Sequence, residues 1–213
     1  MERTLEVRWF YEGRAPDDVV AWFNTLNPRQ HPKREDLYLI SDDPSLNVKW
    51  RSGQIELKRR SGNRSETAFA EHVRGTQEYW QKWSFPLTKD APDLQHNDPS
   101  NLWLRVEKAR LQRVYMPSEQ RALLGTLSEP DPANALVELT RVTCGNCSAW
   151  TICMEAKGPT RALPGTLRQM GRFVFSRGTS PTLELSQSFG YVGWLKHVTS
   201  RGGTTAPEDQ KTP

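Results

Sequence analysis

The chain has 213 residues, with 29 Lys and Arg against 25 Asp and Glu and a net charge of +4. That length suits one generous domain or two small ones with a sizeable core. The charge excess is too mild for a general nucleic-acid coat, so the placement of charge matters more than its sum. No apolar run nears membrane-spanning length and the opening MERTLEVRWF has no signal-peptide pattern. A soluble cytoplasmic protein is expected, with no membrane partner and no specific nucleic acid.

Residues 4–11 (TLEVRWFY) alternate: Thr4, Glu6, Arg8 and Phe10 share one face, Leu5, Val7, Trp9 and Tyr11 the other. This is a strand whose apolar side must pack under something. Pro16-Asp17-Asp18 then opens a short helix, with Val19, Val20, Phe23 and Leu26 spaced as an apolar stripe. Residues 28–34 read as a polar loop containing His31, 36–40 as a short strand and 41–45 as a turn.

The stretch NVKWRSGQIELKRR (47–60) reads as a hairpin about Ser52-Gly53. Asn47, Lys49 and Arg51 lie on one side of the first arm, and Glu56, Lys58 and Arg60 on one side of the second. Four cations thus oppose one carboxylate on a single face, with Val48, Trp50, Ile55 and Leu57 behind it. Residues 61–65 read as a loop and 68–74 as extended chain broken by Gly75. Residues 76–85 alternate again, Glu78, Trp80, Lys82 and Ser84 on one side. Trp80 and Trp83 suit core packing more than base stacking.

Residues 86–101 read as a long mobile connection. Residues 102–115 form a long strand presenting Lys108 and Arg110 together. A short helix is expected in SEQRALLGTL and a loop in SEPDPANA. Residues 136–142 and 149–157 pair around a tip at Gly145-Asn146; Glu138 and Thr140 project from the first arm, and Thr151, Cys153, Glu155 and Lys157 from the second. Residues 166–175 suit a helix, 182–185 a brief strand and 188–198 a helix or turn. One domain is expected over 1–199, with a disordered tail over 200–213.

Three cysteines, Cys144, Cys147 and Cys153, fit a reducing compartment. Cys144 and Cys147 form a CxxC across the hairpin tip, open to reading as plain turn residues, a redox pair or a metal site; zinc would need two further ligands, and neither a second CxxC nor a nearby His pair supplies them. His31, His72, His96 and His197 show no triad or ligand spacing.

Several strands therefore carry a charged side alternating with an apolar one. Closure into an eight-stranded, mainly antiparallel barrel of the α+β class satisfies both sides: the ionic faces line a wet tunnel, and the apolar faces lie outward beneath a few helices. Cations inside lose hydration and repel one another unless an anion neutralises them, so the tunnel is expected to trap a chain of phosphates.

The order of these motifs resembles the CYTH domain of the triphosphate tunnel metalloenzyme superfamily over roughly residues 3–197. TLEVRWF is similar to the family's opening ExExK strand, through Glu6 and Arg8. LNVKWRSGQIELKRR resembles its paired basic strands, VEKARLQRVY its K-x-R strand, WTICMEAKG its acidic strand through Glu155, and SQSFGYVGWL its late serine element. The resemblance implies a phosphate-rich small-molecule ligand gripped by Arg8, Lys49, Arg51, Lys58, Arg60, Lys82, Lys108 and Arg110. It further implies Mg²⁺ or Mn²⁺ held by Glu6 and Glu155, the same two carboxylates serving catalysis.

The departures bear on that activity. Thr4 stands where the first Glu belongs, Thr140 and Cys153 where two more acids belong. Fewer carboxylates hold a hard cation less firmly, whereas cations bind phosphate without metal. Three readings follow: a metal-dependent triphosphatase, a non-catalytic polyanion or nucleotide sensor, and a structural or partner-binding protein whose tunnel is filled by its own side chains. The oligomeric state is left open.

Overall fold

The computed structural model of the protein describes residues 1–87, 102–125 and 133–202. Most of the connection expected over 86–101, part of the loop expected after the second helix, and the tail beyond residue 202 lie outside the described residues.

Among the described residues eight strands close into a barrel. They are β1 (Glu2–Glu12), β2 (Arg29–Leu39), β3 (Leu46–Arg51), β4 (Gln54–Ala70), β5 (Val73–Pro86), β6 (Trp103–Tyr115), β7 (Asn134–Cys144) and β8 (Cys147–Lys157). Around the ring the order is β1-β5-β4-β3-β2-β6-β7-β8, each strand antiparallel to both neighbours. Four helices accompany it: α1 (Asp17–Asn24), α2 (Pro117–Leu124), α3 (Leu163–Phe175) and α4 (Tyr191–Gly202). None of the described helices is long and apolar enough to cross a membrane.

The apolar core lies outside the barrel wall. Leu5, Val7 and Trp9 of β1, Val137 and Leu139 of β7, and Ile152 and Met154 of β8 point outward beneath α1 and α3. Val19, Trp22 and Phe23 of α1 and Leu163, Leu167, Met170, Val174 and Phe175 of α3 complete it. Gly171 lets α3 lie against Phe69: a Cβ there would sit 2.3 Å from the Phe69 ring.

A second cluster fills one end of the lumen. Phe10, Tyr38, Val106, Val142 and Ala149 pack against Trp194, Leu195 and Val198 of α4, with Phe10 stacked between Phe189 and Trp194 at 5.5 Å from each. The ionic part of the lumen is therefore closed at that end by aromatic packing.

Several local expectations are corrected. Of residues 28–34, read as a polar loop, 29–34 belong to β2, which pairs with β6; the register shifts between His31 and Arg34, and Pro32 sits in that irregularity, where no ladder donor is required. Residues 61–65, also read as a loop, are a bend inside β4 with a shift between Ser61 and Ser65 and a positive φ of 75° at Gly62. Gly75 does not break a strand. It lies inside β5, where a Cβ would come within 2.5 Å of Val7 and 2.6 Å of Trp9. The brief strand at 182–185 shrinks to one bridge between Leu183 and Val73. Residues 188–198, read as a helix or turn, contribute to α4, which runs into the span expected as tail.

Candidate functional site

The site is the lumen, and strand parity builds it. The β3–β4 turn has positive φ at both Ser52 (49°) and Gly53 (71°), the two-residue geometry that keeps a tight hairpin in register. Lys49 therefore faces Glu56, and Asn47 faces Lys58, across the ladder. The same parity on β1, β5, β6, β7 and β8 turns the predicted ionic faces inward.

The result is a cavity of about 200 Å³. Eight cations from six strands line it: Arg8 (β1), Arg34 (β2), Lys49 and Arg51 (β3), Lys58 (β4), Lys82 (β5), and Lys108 and Arg110 (β6). Five carboxylates, those of Glu2, Glu6, Glu56, Glu138 and Glu155, oppose them. Every candidate cation from the sequence lines this cavity except Arg60, which Glu78 holds at 3.0 Å outside the lining. Glu6 and Glu155 are both present.

Charge is not evenly mixed. Glu56 is shared by Lys49 (2.7 Å), Lys82 (3.4 Å) and Arg51. Asp36, fully buried, is shared by Lys108 (2.8 Å) and Arg34 (3.4 Å). Arg110 is in no ion pair among the described residues, and its buried Nε has no hydrogen-bond partner. The wall of β4, β3, β2 and β6 thus carries more cations than its carboxylates neutralise. The opposite wall, formed by the consecutive strands β7, β8 and β1, carries Glu138, Glu155 and Glu6. Arg8 pairs with Glu138 at 3.4 Å and Lys58 reaches Glu6 Oε2 across the lumen at 3.2 Å.

The titration of these groups follows from their neighbours. Burial pushes the Asp36 carboxyl up, but Lys108, Lys49 and Arg34 outweigh it and hold it at about 2. Glu56 is held at about 2 by Lys49, Arg51 and Lys82, and Glu138 at about 2 mainly by Arg8, again against burial. Burial depresses Lys49 to about 8 despite Asp36 and Glu56. Burial, with Asp36 opposing, also pushes Lys108 well below the usual lysine range. Burial and the adjacent Glu6 raise Glu155.

Three contributors escaped sequence reasoning. Arg34 was hidden in a segment read as loop. Tyr38 and Tyr191 hold Lys108 by their ring faces, at 4.7 and 4.0 Å, and Tyr191 also lies 4.8 Å from the Arg8 guanidinium. Only the packing of α4 against the barrel end brings Tyr191 there. Trp80, buried as expected, turns into the lumen, and its indole N–H has no hydrogen-bond partner among the described residues.

Glu6 and Glu155 sit directly opposite each other on β1 and β8. One carboxylate oxygen from each, with the Cys153 thiol, lies in a cluster whose ligand atoms are within 4.8 Å of one another and which could hold a metal ion. Cys144 and Cys147 face each other as the last pair of the β7–β8 ladder, away from this centre.

Among solved structures, the chain is similar to the PH1819 protein from Pyrococcus horikoshii OT3, at 14% identity and a TM-score of 0.47, over 93% of this chain and 99% of that one. No protein-family pattern and no curated protein matches the sequence.

Proposed function

We propose that the lumen binds triphosphate, or the triphosphate group of an organic molecule, and that the chain is a divergent member of the CYTH superfamily. The observation that supports this most is the convergence of eight cations on one enclosed space that holds five carboxylates. An uncompensated cation away from water is costly, and a phosphate chain supplies both counter-charge and acceptors. Arg110, in no ion pair among the described residues, and the three cations crowded on Glu56 are the groups such an anion would relieve. A lumen filled by its own ion pairs would leave neither. At about 200 Å³ the space is smaller than the roughly 300–1,000 Å³ of pockets that enclose drug-sized molecules, so any organic part would stay at the mouth.

Hydrolysis is the second step of this reading, favoured by the opposed carboxylates of Glu6 and Glu155. When bound, a divalent cation supplies charge neutralisation and polarisation of the terminal phosphoryl group. The chain's own part is to orient the phosphates: the Arg110 and Lys49 wall holds them in line, and Lys58 and Arg8 keep Glu6 and Glu138 ionised. Charge developing in phosphoryl transfer then meets fixed donors.

Calorimetric titration with triphosphate at low salt and without metal tests binding. One site that weakens steeply with salt is expected; absence of heat removes the proposal. Phosphate release in Mg²⁺ or Mn²⁺, compared with a Glu6→Gln/Glu155→Gln control, tests hydrolysis.

A further inference from the structure

Cys153 lies in the acidic wall, one inward position from Glu155 on β8. It faces Arg8 on β1 and Glu138 on β7. It is completely shielded from solvent and belongs to no disulfide. Its thiol makes no hydrogen bond among the described residues. Its Sγ and one carboxylate oxygen each from Glu6 and Glu155 lie within 4.8 Å of one another. Thr4, on the same face of β1 as Glu6, has a buried hydroxyl without a hydrogen-bond partner. Three ligating atoms therefore converge, one of them a sulfur, where a barrel of this kind would need oxygen donors alone to hold Mg²⁺.

We propose that Glu6, Cys153 and Glu155 form a site for a thiophilic divalent cation, Zn²⁺ foremost, in place of the hard cation that the carboxylates alone would take. Zinc accepts mixed sulfur and oxygen donors, is content with three protein ligands, and leaves a fourth position for water or substrate. A tetrahedral zinc with Zn–S of about 2.3 Å and Zn–O of about 2.0 Å needs its ligands roughly 3.3–3.5 Å apart, a closure that side-chain rotation on two adjacent strands can supply. Mg²⁺ demands near-octahedral oxygen geometry and gains nothing from the thiol. Lys58 engages only Oε2 of Glu6, which leaves the other oxygen for the metal. The thiol proton passes to solvent on coordination. The fourth position would admit a phosphate oxygen, so the role of the metal rests on the phosphate reading, but its binding does not.

The test uses the full chain with Cys144→Ser and Cys147→Ser, which removes the two thiols outside the lumen. Cd²⁺ and Co²⁺ serve as spectroscopic probes of metal–thiolate bonding, and Zn²⁺ competes for the site. One equivalent of Cd²⁺ is expected to give a sulfur-to-cadmium charge-transfer band, displaced by Zn²⁺ and untouched by Mg²⁺ in large excess. Adding Cys153→Ser abolishes the band. Glu155→Gln, which leaves the thiol in place, weakens Cd²⁺ binding at least tenfold and guards against a Ser variant that fails to fold. No band in the two-serine protein, or a band indifferent to Glu155→Gln, overturns the site. Triphosphate titrated into the same samples without metal separates the outcomes: a band without phosphate binding sinks the phosphate reading alone, and phosphate binding without a band sinks this one alone.

Discussion

Arg110→Ala isolates phosphate binding from folding. Most lumen cations cannot do so, because each holds a carboxylate: removing Lys58 strands Glu6 beside Glu155, and removing Lys108 strands the fully buried Asp36. Loss of one partner from a buried pair costs about 3–5 kcal/mol, so those variants lose stability and binding together. Arg110 strands nothing. Burial and the neighbouring Arg34 lower its pKa, so its charge is disfavoured in the ligand-free protein. Its truncation should change stability by no more than about 0.5 kcal/mol, or about 2 °C in Tm for a chain of this size. In the complex the guanidinium would donate charge-assisted hydrogen bonds to phosphate, worth about 1.5–3 kcal/mol, which is roughly a ten- to hundredfold loss of affinity. The assay is calorimetry with triphosphate at low salt, with thermal denaturation of the same samples. Wild-type affinity in Arg110→Ala would refute the reasoning, because the lumen cation without an ion pair among the described residues would then not be what the ligand answers.

Lys49 links binding to pH. With its amine depressed to about 8, it is charged below that pH and neutral above, so triphosphate affinity should fall as pH rises through about 8; Lys49→Arg should flatten that fall, measured against the same ligand titration. Acid should act on the fold. Asp36, Glu56 and Glu138 are each held at about 2, against ordinary values of 3.8 for Asp and 4.5 for Glu. Depressed carboxyl groups contribute stability that is fully present above the ordinary value and is lost as pH falls through the depressed one. The urea midpoint should therefore hold down to about pH 4.5 and drop between there and pH 2; a flat profile across that window would contradict the pairing. Gly75→Ala and Gly171→Ala should each overpack the layer outside the barrel, given Cβ distances of 2.5 Å to Val7 and 2.3 Å to Phe69. A cost of about 1–3 kcal/mol is expected, read as a fall of roughly 2–12 °C in Tm, with lumen binding unchanged at the lower temperature.

Much of the site was legible because a strand's side-chain period is two. Once TLEVRWF, NVKWR, IELKRR and the strand through Lys108 and Arg110 were read as strands, parity alone grouped Glu6 with Arg8, Lys49 with Arg51, and Lys108 with Arg110. What failed were segments where composition argued against a strand. Pro32 hid the start of β2 and Gly62 the bend in β4, because both are tolerated at irregularities that only pairing to a neighbour reveals. Gly75 was misread for the complementary reason: its missing side chain serves a close approach by Val7 and Trp9, residues almost seventy positions away in the chain.

Alternation of apolar and ionic residues was enough to give each strand one charged and one apolar face, and the concentration of cations on the charged faces favoured closure into a barrel with a charged interior over an open sheet with one wet face. Which charges meet was decided by closure. The joining of β8 to β1 sets Glu155 against Glu6 and brings Cys153 beside them, and the docking of α4 sets Tyr191 over Lys108. These contacts join residues 83 to 149 positions apart on different elements. Period and composition carry no trace of such pairings, because they depend on how the ring closes and not on how any one strand is written.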